Sequence, residues 1–293
     1  MQVVLIAFAL LFCGVKAGNT QKQCSTDCEG NHWSYSGDSS PKCWSICNPK
    51  CQGTRQSPIN LQIGKAKFMG IFQAPEVSGP LTVKMKASNN GHTVVLAKTS
   101  GQSIHISGVG LDGSFIFDQL HFHWGSEAST GSEHTLNGNH WPMEMHVVTH
   151  NDKYESIGEA KTAPDGLAVF AYFFQIVKQD NPGLSDLLAV VDSVPNKGDS
   201  SDEMSFQLVK FLPPFGGDFF RYKGSLTTPG CFESVTWTLF TGLTVPISEN
   251  QLNKFRQLMT AGDGGKDAHP MFNNFRPTQA LNAREILFGV IGA

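Results

Sequence analysis

The sequence predicts a single sheet-dominated domain that is preceded by an N-terminal extension. Short apolar runs alternate with turn residues after about residue 55, which is the pattern of a meander of short strands. Two longer apolar runs, Met145 to Thr149 and Gly166 to Val177, are continuous enough for strands that are buried on both faces. Helical patterns are few. We therefore expect a large β-sheet with these two runs near its centre.

The strands of the predicted meander follow one another closely. Leu81 to Lys86 and His92 to Ala97 are separated by the turn residues Asn89-Asn90-Gly91. Ile104 to Ser107 follows the turn Ser100-Gly101. Each run has the length of a short strand.

Two segments carry helix signals. Gly183 to Val191 follows Pro182, a residue that is common at the first helical position. Ser248 to Met259 begins with a serine that can cap the helix, and Gln251 three residues later can complete a capping box.

Composition favours a folded protein with a large core. Charged residues make up 16% of the 293 residues, below the usual quarter, and apolar residues are plentiful. The formal net charge of -3 is mild, and no run of Lys and Arg occurs. Nucleic acid is therefore not an expected partner.

The N-terminus has the pattern of a secretory signal peptide over residues 1–17. Val3 to Phe12 is an unbroken apolar run, and Ala17 is a small residue suited to signal-peptidase cleavage. A buried first helix is the alternative. The run is shorter than the ~20 residues that span a bilayer, and no second long apolar stretch follows it. We expect a secreted protein without a membrane anchor.

Residues 18–52 form a Cys-rich arm with little hydrophobic periodicity. Cys13 leaves with the signal peptide, and the remaining even number of cysteines suits disulfides in an oxidising compartment. A structural metal site is the alternative, but the cysteines lack the nearby histidines of a zinc finger. The remaining cysteines are Cys24, Cys28, Cys43, Cys47, Cys51 and Cys231.

Three histidines have the spacing of a metal site. His121 and His123 are two residues apart in an apolar stretch, so on a strand both imidazoles lie on one face. A second strand, Glu144 to Val148, can supply His146 as a third ligand if it pairs beside the first. Three protein ligands leave one tetrahedral position of zinc open, which is the arrangement of catalytic zinc sites.

Two polar residues support this hypothesis. Gln119 lies two residues before His121, and Glu144 lies two residues before His146, so each shares a strand face with a candidate ligand. An oxygen at such a position can accept the spare N–H of an imidazole and fix its tautomer. Histidines that are merely buried in a core would not need two acceptors placed in this way.

Seven short motifs follow one another between about Trp33 and Leu287: Gln56 to Asn60, Asn89 to His92, Gln119 to Ser126, Gly131 to Thr135, Glu144 to His146, Gly224 to Pro229, and Asn274 to Pro277. With these motifs in this order, the sequence strongly resembles the alpha-carbonic anhydrase family and its extracellular members. The resemblance covers nearly the whole mature chain.

The resemblance implies an α+β fold, with one domain at residues 53–290 built around a large, twisted, mostly antiparallel sheet with short surface helices. It implies a zinc cofactor held by His121, His123 and His146, and carbonic anhydrase is itself the standard example of such a three-histidine site. The backbone carbonyl of Asn274 is then the expected acceptor for His123. The implied partners are carbon dioxide and bicarbonate.

The reaction of the family is the reversible hydration of carbon dioxide to bicarbonate and a proton. Zinc-bound hydroxide attacks, because zinc lowers the pKa of its water to about 7, a value known for carbonic anhydrase itself. By resemblance, Thr227 hydrogen-bonds to the hydroxide and donates its own proton to Glu133, which orients the attack. The residues that the resemblance implies for substrate binding are Val148, Val169, Leu226, Thr227, Thr228 and Trp237.

The released proton must leave the site, and His92 occupies the position of the family's proton shuttle. A group that titrates near neutrality serves best in this role. Tyr35 and Asn90 are expected to order the intervening waters. The sequence departs from the family at Val95, where a polar Asn is common, and this narrows the polar wall of the cavity.

Cys51 and Cys231 match positions that are joined by a disulfide in extracellular members of the family. This bond would connect the arm to the loop that carries Thr227, and a bridge across so long a loop can stabilise a protein by ~4 kcal/mol. For the other four cysteines the resemblance gives no pattern, so three pairings remain open.

Two other functions fit parts of the sequence. A non-catalytic binding or matrix module keeps the fold, but such family members have a substituted zinc histidine, and none is substituted here. A secreted zinc protease would need a helical His-Glu-x-x-His, which the sequence lacks.

Overall fold

The computed structural model describes residues 24–29, 32–80, 82–208, 216–261 and 268–292. The signal peptide predicted for residues 1–17 and the start of the arm lie outside these residues. The strands are β1 (Asn60–Leu61), β2 (Lys67–Phe72), β3 (Glu76–Ser78), β4 (Val83–Asn89), β5 (Val94–Ser100), β6 (His105–Ser107), β7 (Phe115–Trp124), β8 (Thr135–Leu136), β9 (Met143–Asn151), β10 (Leu167–Val177), β11 (Met204–Phe206), β12 (Gly217–Gly224), β13 (Val235–Ser248) and β14 (Leu287–Ile291).

One large mixed sheet organises the domain. Its strands lie in the order β11, β4, β5, β7, β9, β10, β13, β12, β14 and β2, with β6 beside β7 and β3 beside β6. The pairs β10 with β13 and β14 with β2 are parallel. The other pairs of this sheet are antiparallel, so the predicted fold class is confirmed. The two long apolar runs form β9 and β10 at its centre, as predicted.

The helices of the described residues are short, and only the third and fourth lie where the sequence signals a helix. They are α1 (Trp44–Cys47), α2 (Ile157–Ala160), α3 (Ser185–Asp192) and α4 (Glu249–Arg256). The predicted capping box of α4 is present between Ser248 and Gln251, but the helix ends three residues before Met259. None of the helices in the described part of the chain is long and apolar enough to cross a bilayer.

Each face of the sheet carries its own apolar cluster. The larger cluster includes Leu188 of α3 and Phe255 of α4, so these two helices cover that face. The smaller cluster includes Val148 of β9, Val169 of β10 and Trp237 of β13. The candidate metal ligands share this second face with the smaller cluster.

A β-bulge in β7 places these ligands. The pairing of β7 with β9 shifts by one residue between Phe117 and Gln119. Because side chains alternate between the faces of a strand, one extra residue moves all later side chains to the opposite face. Phe117 and Leu120 therefore both pack in the larger cluster. Gln119, His121 and His123 lie on the other face.

The cysteines of the described residues form three disulfides, as predicted. The Cys51–Cys231 bond is the one that the resemblance implies. The four remaining cysteines adopt one of the three open pairings, with the bonds Cys24–Cys43 and Cys28–Cys47.

Candidate metal centre

Strand pairing brings the three candidate ligands together. The register of β7 and β9 places His121 directly opposite His146. His123 is two residues further along β7, so its ring lies on the same face. One ring nitrogen from each of the three imidazoles lies within 4.8 Å of the others.

The nitrogen positions fit a tetrahedral zinc ion. Zinc–nitrogen bonds of ~2.0–2.1 Å put two tetrahedral ligand atoms about 3.3 Å apart. The distance between His121 Nε2 and His146 Nδ1 is 3.3 Å. His123 Nε2 is buried and has no hydrogen-bond partner among the described residues. A metal ion would satisfy this nitrogen, so the donor set fits zinc.

At least two of the imidazoles are neutral near pH 7. Burial, followed by the neighbouring rings of His146 and His123, holds the pKa of His121 well below its usual value. Burial likewise lowers the pKa of His123. Neutral imidazoles keep the lone pair that a metal ligand needs.

Each candidate ligand is oriented through its other ring nitrogen. Acceptors at these positions fix the tautomer that directs the lone pair toward the centre. The structure places all three expected acceptors within hydrogen-bond distance: Gln119 Oε1 at 2.9 Å from His121 Nδ1, the Asn274 backbone oxygen at 2.7 Å from His123 Nδ1, and Glu144 Oε1 at 2.7 Å from His146 Nε2.

A buried polar chain supports Glu144. The His134 backbone N–H donates to Glu144 Oε2 at 2.8 Å, and His134 Nδ1 lies 2.7 Å from Oε1. His134 Nε2 lies 2.6 Å from the hydroxyl of Tyr222, which donates to Ser57 Oγ at 2.8 Å. Burial raises the pKa of Glu144, but the electrostatic attraction and hydrogen bonds of His134 and His146 together lower it by more. The carboxyl therefore has a pKa below its usual value and stays ionised.

No role was predicted from the sequence for His134, Tyr222 or Ser57. His134 and Tyr222 are 88 residues apart, and no spacing pattern relates them. The only available signal was that His134 and Ser57 each fall within a family motif. This hydrogen-bonded chain forms only in the folded domain, where Tyr222 on β12 lies between His134 and Ser57.

Glu133 lies beside the ligands. Its Oε1 accepts from the backbone N–H of Arg276 at 2.8 Å, and its Oε2 is 3.4 Å from His123 Nε2. The hydrogen bond from Thr227 that the resemblance implies is not formed in this structure, because Oε2 has no hydrogen-bond partner within the described ranges. Thr227 itself is buried on the loop after β12. The orienting role of this pair is therefore a proposal.

An apolar wall adjoins the imidazoles. Val148 lies two residues after His146 on the same strand face. Val169 is opposite Val148 on β10, and Trp237 is opposite Val169 on β13. The rings of Trp237 and His146 have their centroids 4.7 Å apart. The other two residues expected to contact substrate, both half-buried on the loop between β12 and β13, are Leu226 and Thr228.

His92 lies in a turn and not on a strand. The strand that was predicted to begin at His92 starts at Val94, because Asn90 Oδ1 accepts the backbone N–H of His92 at 2.9 Å and forms a turn. Val95, where the family often has a polar residue, pairs with His121. An apolar side chain thus lies beside a candidate metal ligand.

The arm covers the His92 ring. This ring stacks on Trp33 with 3.7 Å between centroids and 9° between planes, and the Tyr35 ring lies 6.4 Å away. Burial, followed by the charges of Lys197 and His32, lowers the pKa of His92 to about 4. In this arrangement His92 is neutral at pH 7, whereas the role implied by the resemblance calls for a group that titrates near neutrality.

The fold and the centre together define a class: a sheet-dominated α+β protein whose adjacent strands bring together three histidines that could hold one metal ion. Comparison with known proteins agrees with this class and narrows it. The eukaryotic-type carbonic anhydrase family matches residues 39–289. The chain belongs to this alpha-class family, and it is a carbonic anhydrase enzyme.

Individual relatives match along most of their length. Carbonic anhydrase 7 of Homo sapiens is 38% identical over 260 residues, which cover 88% of this chain and 97% of the relative. Carbonic anhydrase 15 of Mus musculus is 37% identical over 273 residues, covering 87% and 82%. Carbonic anhydrase 1 of Monodelphis domestica is 36% identical over 259 residues, covering 87% and 97%.

Proposed function

We propose that this enzyme uses zinc, held by His121, His123 and His146, to interconvert carbon dioxide and bicarbonate. The observation that carries the proposal is the convergence of the three imidazoles. One of their nitrogens, His123 Nε2, is buried and lacks a hydrogen-bond partner in the described residues. Family membership supports the reaction. A non-catalytic module would have a substituted ligand, and all three histidines are present.

The residues of the chain position the reactants. A zinc ion bound here supplies a Lewis acid that makes water nucleophilic near neutral pH, as is known for carbonic anhydrase. The apolar wall of Val148, Val169 and Trp237 offers a binding surface for carbon dioxide, which is small and uncharged. The free Oε2 of Glu133 can accept the hydroxyl proton of Thr227, which makes the Thr227 oxygen an acceptor that orients the attack.

We also propose that the protein is secreted, with a signal peptide at residues 1–17, the Cys-rich arm at 18–52 and the catalytic domain at 53–290. The three disulfides support an oxidising compartment. The family match begins at residue 39, so residues 39–52 of the arm lie within the matched range.

A stopped-flow hydration assay on the purified protein, combined with metal analysis, tests the function. We expect one zinc ion per chain, loss of activity after removal of the metal by a chelator, and recovery when zinc is returned. A protein that retains zinc but does not hydrate carbon dioxide would be the non-catalytic module. A protein without affinity for zinc would refute the centre itself.

Replacing His92 by alanine is expected to lower kcat mainly in weak buffer. The imidazole passes protons to solvent, so added imidazole should restore the rate, whereas kcat/KM should stay the same. The measurement is kcat as a function of buffer concentration. The exposed His269 provides a matched control, since it lines the same surface pocket as His92 and alanine there also removes an imidazole. Equal loss at every buffer concentration would contradict a shuttle role.

A further inference from the structure

The bulge in β7 turns the candidate ligands toward the metal face of the sheet, which carries His121, His123 and His146, and its extra residue is Asp118. We propose that Asp118 and His150 are positioning residues: their side-chain pair holds the bulge and thereby sets how tightly the centre retains its metal. The inference deepens the proposed function, because it rests on zinc binding by these three histidines.

Asp118 is joined to β9 through its side chain. The residues before and after it in β7 lie opposite Thr149 and Val148, which are consecutive on β9, so Asp118 is the inserted residue. Its carboxylate Oδ2 is 2.8 Å from Nδ1 of His150. His150 lies two residues after Val148, so the two side chains share the metal face. This contact fastens the extra residue of the bulge to the strand that carries the third candidate ligand.

The pair is largely shielded from water. The side chains of His150 and Asp118 are 7% and 18% exposed. On the neighbouring strands, His150 lies opposite Ile116 of β7 and Leu167 of β10, both apolar. Hydrogen bonds and charges interact more strongly where water is excluded. The contact is therefore a stronger restraint than an exposed ion pair.

The bulge determines where the next residues of β7 lie. Gln119 follows Asp118 directly, and its Oε1 is 2.9 Å from Nδ1 of His121. His121 Nε2 in turn lies 3.3 Å from His146 Nδ1 on β9. If the bulge relaxes, Gln119 and His121 shift together relative to His146, because they belong to the same strand. Disturbing the acceptor of a ligand histidine typically lowers metal affinity by about 10–100-fold.

A purely stabilising role for the pair makes a different prediction. Removing one partner of a buried pair leaves the other unpaired and destabilises the fold, whereas replacing both partners by apolar residues is often neutral for stability. The restraint on the bulge is lost in both cases. A double apolar variant therefore separates positioning from stability.

The test measures the rate of zinc loss to a chelator and the urea midpoint in three variants. Asp118→Ala should lose zinc about tenfold faster than the wild type. Asp118→Asn keeps an oxygen that can accept the N–H of His150, so its rate should stay within about twofold. Asp118→Leu/His150→Leu should lose zinc as fast as Asp118→Ala, although its urea midpoint should fall less.

Asp152→Ala is the matched control. Its carboxylate lies 3.9 Å from Nδ1 of His105, and these side chains are 40% and 38% exposed. This second Asp–His pair follows the end of β9 and does not hold the bulge, so zinc loss should keep the wild-type rate. Circular dichroism verifies the fold of each variant.

The outcomes distinguish the inference from the proposed function. If Asp118→Ala or the double variant loses zinc at the wild-type rate, the pair has no positioning role and the zinc centre stands. If Asp118→Asn loses zinc as fast as Asp118→Ala, the hydrogen bond to His150 is not the restraint, and the inference is again overturned. A wild-type protein that binds no zinc would remove both. The comparison of alanine with asparagine decides the question even if the double variant does not fold.

Discussion

Replacing His121 by alanine is expected to abolish zinc binding and to lower the rate of carbon dioxide hydration by roughly a thousandfold. The His121 Nε2 atom lies 3.3 Å from His146 Nδ1, and without it two imidazoles cannot complete the three-ligand set of a catalytic zinc site. A Lewis acid contributes several kcal/mol to such a reaction, and each 1.36 kcal/mol corresponds to a tenfold change in rate.

His121 is the best candidate ligand to remove, because it is only partly buried whereas His123 and His146 are buried. Its loss should therefore disturb the core least. Zinc per chain is measured by elemental analysis, hydration by stopped flow, and the fold by circular dichroism. His105→Ala on β6 is the matched control, since that histidine is 38% exposed and lies away from the centre. Normal zinc content and rate in His121→Ala would refute the three-histidine centre.

Elements that are buried on both faces were predictable from the sequence. β9 is fully buried and β10 is mostly buried, and the apolar runs Met145 to Thr149 and Gly166 to Val177 revealed both strands. The capping box of α4 was also readable, because it depends on Ser248 and Gln251 three residues apart. In each case the physical cause lies within one short segment.

The orientation of β7 was not predictable from alternation alone. Phe115, Phe117, His121 and His123 are all odd-numbered, so a regular strand would place apolar and metal-binding side chains on one face. The bulge after Phe117 resolves this conflict. Bulges depend on the partner strand, and no single strand's sequence shows them.

Contacts between distant segments also lay beyond sequence patterns. The acceptor for His123 is a backbone oxygen 151 residues away, and only the family resemblance pointed to Asn274. The pairing of the arm cysteines depends on α1, which the sequence did not signal. This helix places Cys43 and Cys47 four residues apart on one side, where both can reach the segment of Cys24 and Cys28.

Arg276 is a structural residue that lies within the Asn274 to Pro277 motif and for which no role was predicted. Its side chain is 2% exposed, and its guanidinium donates to Gln56 Oε1 at 2.8 Å, the Ser57 backbone oxygen at 2.9 Å and the Cys51 backbone oxygen at 3.1 Å. It thus connects the end of the arm to the segment that carries Asn274. The same residue's backbone N–H holds Glu133 Oε1.

Replacing Arg276 by methionine is expected to lower the free energy of unfolding by ~3 kcal/mol. Methionine fills a similar volume but leaves three buried acceptors without a donor, and each unsatisfied group costs about 1–3 kcal/mol, partly offset by no longer burying the charge. The melting temperature should fall by roughly 6–12 °C for a domain of this size. Arg55→Met is the matched control, because Arg55 is 41% exposed and pairs with Glu233 at 3.5 Å, so its loss should cost less than about 1 kcal/mol. Equal destabilisation of the two variants in urea titrations would show that the buried acceptors around Arg276 do not depend on its guanidinium.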